Sequence, residues 1–223
     1  MAKNRGGVAR ISWERTAALA GLAFVVLFVV AFSLGIEVGR SDREILEYYA
    51  DSGHRTKEVV AFFLIAAAAL ALIVFATALR SIIARAEQET GMLAALAWAG
   101  GIASAALVLA GNALSRATAF AAMDDEFQLE PNTRRLFEDA GLLLLASGAI
   151  AAILLVVAVS LAALRHGLLP RWLAWAGFPA AALLPLAIGF VGFLALWAWL
   201  LAVGAALAFR RSRPTAVGAD ATS

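Results

Sequence analysis

An all-α fold, a polytopic bundle of six transmembrane helices with both termini cytoplasmic, is what this sequence predicts, and three observations predict it. Apolar residues make up 63% of the 223 and charged residues only 15%, against roughly 25% in ordinary soluble domains, so a soluble chain would lack the polar surface to cover its core. The apolar residues come in long blocks divided by short charged segments, the arrangement a bilayer selects. The charges are also shared unequally between alternate segments.

Residues 1–15 are a basic N-terminus carrying Lys3, Arg5, Arg10 and Arg15, and the first span follows at 16–36. At 1.5 Å per residue this block reaches the roughly 30 Å needed to cross hydrocarbon. A basic start before an apolar run also has the form of a secretory signal peptide, with Ala31 and Ser33 as small residues at a cleavage site. Signal-peptide cores run about 7 to 15 residues, so this longer block is read as a span.

The loop from Glu37 to Glu58 contains Ser41 and Glu44 at capping-box spacing, which predicts a short helix through Tyr49 that Gly53 ends. Ile45, Leu46, Tyr48 and Tyr49 are expected on the membrane surface, where a tyrosine ring is apolar and its hydroxyl meets water. The second span, 59–79, holds no ionisable group and leaves the bilayer at Arg80 and Arg85. The third, 92–114, ends before Arg116 and the acidic stretch Asp124, Asp125, Glu126 and Glu130, with Pro131 punctuating the loop. The fourth, 140–164, lies between Glu138 and Asp139 on one side and Arg165 and His166 on the other.

The last apolar block, 172–209, is too long for one helix and long enough for two, divided near Ile188 and Gly189 into spans 172–188 and 189–209. Pro179 and Pro185 fall in the first of the pair, so a helix break, kinked or partly re-entrant, is expected there. The tail 210–223 is polar, small and expected to be disordered in the cytoplasm.

With six spans, the segments on the side of the termini carry eleven Lys or Arg against four acidic residues, and the two opposite loops carry seven against twelve. Basic residues collect on the cytoplasmic side of short membrane loops, which orients the bundle. A single span in the final block would put Arg210, Arg211 and Arg213 on the wrong side. Lysine occurs only at Lys3 and Lys57 while Arg and Ala abound, a bias of GC-rich bacterial genomes; the expected location is the bacterial cytoplasmic membrane.

Little in the sequence demands a chemistry. The absence of cysteine excludes disulfides, thiolate nucleophiles and cysteine-bound metals, and His54 and His166 form no zinc motif. There is no phosphate loop or nucleophile elbow, so no cofactor, metal or catalytic residue is implied. Asn112 is the most polar residue inside an apolar run; with Arg116 one turn on, it makes a polar face that could line a cavity with Glu37, Glu58 or Asp139. Ala97, Gly101 and Ala105 share a face of the third span, with Gly100 and Ser104 beside them, as close helix packing or oligomerisation requires. Trp197 and Trp199 fall mid-span and are expected to pack against neighbouring helices. The pI near 9.5 suits anionic lipid headgroups at the cytoplasmic arginines and no nucleic acid.

Leu169, Pro170, Arg171, Trp172 and Leu173, followed by Trp175 and Gly177, resemble the entry to a late span in uncharacterised bacterial multi-span membrane proteins. The run Glu47, Tyr48, Tyr49, Ala50, Asp51 before a span resembles them too. That resemblance implies the topology and no activity. Two functions compete. A non-enzymatic accessory or regulatory membrane component, working with a membrane-protein partner or as a homo-oligomer, needs no cavity at mid-membrane. A small-solute or lipid transporter needs one reaching the third and fifth spans, near Asn112 or Pro179. An intramembrane enzyme would need paired acids, or a histidine with a nucleophile, which the spans do not hold.

Overall fold

The computed structural model describes residues 13–34, 41–87, 91–124 and 126–209. Glu37, the first twelve residues and the tail 210–223 lie outside the described residues. Everything described is helix or short connection: α1 (Trp13–Leu34), α2 (Asp42–Ala50), α3 (Ser52–Glu87), α4 (Met92–Ala121), α5 (Pro131–His166), α6 (Arg171–Leu183), a 3₁₀ segment (Leu184–Gly189) and α7 (Val191–Ala208). Six helical stretches are long and apolar enough to cross a membrane, α6 together with its 3₁₀ extension counting as one.

The helices pack in the order α7, α1, α3, α4, α5, α6, with α6 closing back on α7. On α1, Gly21 meets the carbonyl of Leu200, and Phe28 and Phe32 meet Phe193 and Phe190, so α1 and α7 run antiparallel. The start of α1 and the end of α7 therefore lie at one end of the bundle. The opposite end carries α2.

Along the contact of α4 with α5, small residues face inward and large apolar ones outward. On α5 the buried positions include Gly141, Ala146, Gly148, Ala149 and Ala152, whereas Leu142, Leu143, Ile150 and Leu154 are exposed. Lipid is as apolar as leucine and gives helices no hydrophobic reason to associate, so they gain attraction by close backbone approach. A Cβ on Gly111 would come within 2.6 Å of the Gly141 carbonyl, and one on Gly100 within 2.6 Å of the Leu155 amide nitrogen. The small face of α4 is spent inside the chain: Gly101 packs on Ala76 of α3, Gly100 on α5, and Ala97 and Ala105 are fully buried.

The fifth crossing holds its length in an unexpected way. Thirteen α-helical residues rise about 20 Å and six 3₁₀ residues about 12 Å, so the segment spans about 32 Å. Pro179 sits within α6, and Pro185 opens the 3₁₀ turn, where a missing amide donor costs little. The chain turns back at Phe190, whose φ of 69° is left-handed, and not at the preceding glycine. Its ring is held 4.6 Å from Phe32 and 5.4 Å from Trp197, contacts that offset the strain.

Two expectations are corrected. Gly53 does not end the short helix; α2 stops at Ala50 with Asp51 extended as its C-cap, and Gly53 lies in the first turn of α3. The Asp51 carboxylate accepts from the Gly53 amide at 2.6 Å, so Asp51 starts α3 instead. Ile45, Tyr48 and Tyr49 are buried against the bundle, with only Leu46 of that group exposed.

Candidate functional site

The site begins with the cap of α2. The Ser41 hydroxyl accepts from the Glu44 amide at 3.2 Å and the Glu44 carboxylate accepts from the Ser41 amide at 2.9 Å, completing the capping box. The helix so started places Ile45, Tyr48 and Tyr49, spaced i, i+3 and i+4, on one face against Ala119 of α4. The tyrosines leave the membrane surface because each hydroxyl finds a charged partner inside. Tyr48 donates to Glu58 Oε1 at 3.2 Å, and the Tyr49 hydroxyl accepts from Arg134 Nε at 2.7 Å.

These partners belong to a wider network at the α2 end. Glu58, from the first two turns of α3, is ion-paired through Oε2 with Arg116 of α4, and their side chains are only 5% and 11% exposed. Arg134, in the first turn of α5, pairs with Glu138 one turn on and lies 5.6 Å from the centre of the Tyr49 ring. At the rim Arg135 pairs with Asp42 of α2. The Tyr48 ring stacks on the His54 imidazole at 4.3 Å and 5°. Four helices are thus tied by charges that would be costly to bury singly.

Of the residues proposed to form a polar cavity, Glu58 and Arg116 meet directly. Asn112 is wholly buried one turn deeper, its amide donating to the Phe62 carbonyl of α3 at 3.0 Å. Asn112 Oδ1, Arg116 Nε and Thr118 Oγ1 are buried without a hydrogen-bond partner among the described residues. Asp139 is exposed on α5 and takes no part, and Glu37 lies outside the described residues. Tyr48, Tyr49, Arg134 and His54 were not expected in the site. The i, i+3, i+4 spacing of Ile45, Tyr48 and Tyr49 and the i, i+4 pair Arg134 and Glu138 are the signals that point to them.

The fifth crossing holds the second candidate region. A Cβ on Gly177 of α6 would fall 1.9 Å from Ser160 Oγ and 3.1 Å from Trp199 Nε1, so α5, α6 and α7 meet there with no room for a methyl group. Trp197 is buried among Phe28, Phe190 and Phe193. Pro179, two residues on from Gly177 and so on the other face of α6, is exposed on the outside of the bundle, while the inward face at Gly177 is filled.

Bordering the network at Tyr49, a cleft of about 290 Å³ opens between α2 and the loop after α4, lined by Leu46, Tyr49, Arg55, Asp124, Phe127 and Leu129 among others. Among the described residues, no group of three His, Asp or Glu could hold a metal ion.

No protein-family model, curated protein or solved structure matches this chain.

Proposed function

We propose that this chain is a non-enzymatic accessory or regulatory component of a bacterial cytoplasmic membrane, acting through its helix faces and the α2 end rather than through a transport path. The observation that carries this reading is the packing at the two places where a transporter would need a cavity. Asn112 is fully buried against α3, and Gly111, one residue away, leaves no space for a Cβ against α5. On the fifth crossing Pro179 faces outward and is exposed, and the inward face of α6 is closed at Gly177 by Ser160 and Trp199. Solute binding sites in membrane bundles are instead water-accessible gaps at broken helices. The buried charges fit the same reading, since Glu58 and Arg116 neutralise one another and leave no lone charge to couple to a moving ion.

The positive-inside asymmetry supports a cytoplasmic location for both termini, where the arginines would face anionic headgroups. The α2 end then faces outward. A membrane protein partner, or a second copy, would meet the lipid-facing side chains. The resemblance of the segments around Tyr48 and Trp172 to uncharacterised bacterial multi-span proteins is consistent with this and adds no activity.

The chain contains no cysteine, so single cysteines can be placed and labelled from either side of sealed vesicles. Cysteine at Gln88 and Ser212 is expected to react from the cytoplasmic side and at Ser41 and Gly189 from outside, with Asn112→Cys protected from both. Ready labelling of Asn112→Cys from outside would overturn the closed-core reading in favour of small-solute or lipid transport.

A further inference from the structure

The cleft at the α2 end holds two opposite charges that face one space without meeting. Arg55 Nη1 donates to the Ala122 carbonyl at the end of α4, which fixes the guanidinium while occupying one of its five donors. Asp124 Oδ1 accepts from the Glu126 amide at 3.0 Å, which fixes the carboxylate and leaves Oδ2 without a partner among the described residues. Both line the cleft, and no ion pair joins them. Their aromatic and aliphatic neighbours there are Tyr49, Phe127, Leu46 and Leu129.

The level of the cleft along the bundle says what could fill it. The uncharged block of α3 begins at Val59, so Arg55 lies four residues, about 6 Å, beyond the hydrocarbon. The headgroup layer is about 5–7 Å thick on each side of the hydrocarbon, and Arg55 falls within it. Leu46, Met123 and Phe127 are exposed at this same level, 46%, 51% and 40%, where water alone would leave large apolar side chains without cover. Acyl chains beside the cleft would cover them.

We propose that this cleft binds the headgroup of a zwitterionic amine phospholipid of the phosphatidylethanolamine class. The phosphodiester lies against the free donors of Arg55 and the primary ammonium donates to Asp124 Oδ2, with the chains passing over Leu46 and Phe127. A phosphate and an ammonium separated by two carbons match one cation and one anion held apart. A free phosphate matches Arg55 alone. A choline headgroup carries the charge but no N–H for Asp124, and a glycerol headgroup lacks the charge. The proposal requires that the bundle span a membrane; it does not require the closed core.

Native mass spectrometry of the delipidated full chain in detergent, titrated in turn with phosphatidylethanolamine, phosphatidylcholine, phosphatidylglycerol and soluble glycerophosphoethanolamine, tests it. Phosphatidylethanolamine is expected to bind about tenfold more tightly than the other two lipids, the scale of one charge-assisted hydrogen bond. Asp124→Asn, at an exposed position, is expected to erase that preference while phosphatidylglycerol binding is kept. Arg55→Gln is expected to weaken all three lipids. Equal binding of the three lipids by the unaltered chain, or an intact preference in Asp124→Asn, would overturn the proposal. Glycerophosphoethanolamine binding as tightly as the lipid would overturn the assignment to a lipid and point to a soluble headgroup. Labelling of Asn112→Cys would change the functional reading and leave this preference untouched.

Discussion

Neutralising one member of the Glu58 and Arg116 pair should cost far more than neutralising both. Their side chains are 5% and 11% exposed, so solvent screens them little. Two unit charges about 4 Å apart at an effective dielectric near 20 attract by about 4 kcal/mol. Breaking a buried pair from one side costs about 3–5 kcal/mol, because the remaining charge is stranded. Glu58→Gln keeps the shape and the contact with Tyr48 but strands the Arg116 guanidinium; Arg116→Met strands the carboxylate. Each is expected to lose about 3–5 kcal/mol, and the double variant only about 0–2 kcal/mol, since both desolvation costs vanish together. Reversible unfolding in mixed detergent micelles, followed by far-ultraviolet circular dichroism, gives the four free energies of the cycle. Additive losses, with the double variant as unstable as the sum of the singles, would refute the claim that these charges stabilise one another.

Tyr49→Phe removes the acceptor of Arg134 Nε and should speed amide hydrogen exchange across α2 while leaving α4 unchanged; uniform exchange rates would count against docking by that bond. Gly111→Ala should lower stability by about 1–3 kcal/mol because its methyl meets backbone, whereas Gly189→Ala, with nothing within 4 Å, should be neutral in thermal denaturation. At Phe190, glycine relieves the left-handed backbone but loses the ring, and alanine loses the ring while keeping about 1 kcal/mol of strain. Midpoints should fall in the order Phe, Gly, Ala, and an alanine variant more stable than glycine would show that the turn is unstrained.

The spans were legible because hydrocarbon thickness is a length, and a block of apolar residues either reaches it or does not. The fifth crossing was less so: counting residues at α-helical rise undervalues a segment that finishes in a 3₁₀ turn, and nothing in Leu184 to Gly189 announces the change except Pro185. The turn at Phe190 was also hidden, since glycine is the usual left-handed residue and Gly189 stands beside it. Glu58, Asn112 and Arg116 were singled out for their polarity beside apolar blocks, and the structure brings Glu58 and Arg116 together. Arg134 was not, because it sits in a charged loop next to Arg135 and only three-dimensional packing distinguishes the buried arginine from the exposed rim. For α2, an apolar face at i, i+3 and i+4 suits lipid and protein equally well; the buried arginine and glutamate decided between them.

The attachment of α2 has a consequence for the order of events during synthesis. Tyr49 must find Arg134, 85 residues later in the chain. At roughly 5–20 residues per second, about 4–17 s pass between the making of the tyrosine and the making of its partner. Through that interval α2 waits with its buried face uncovered, and Glu58 enters the membrane boundary before Arg116 exists to neutralise it. Docking of the short helix is thus a late event that reports the arrival of α5, and a chaperone or insertase that shields an uncovered amphipathic segment would have this window in which to act.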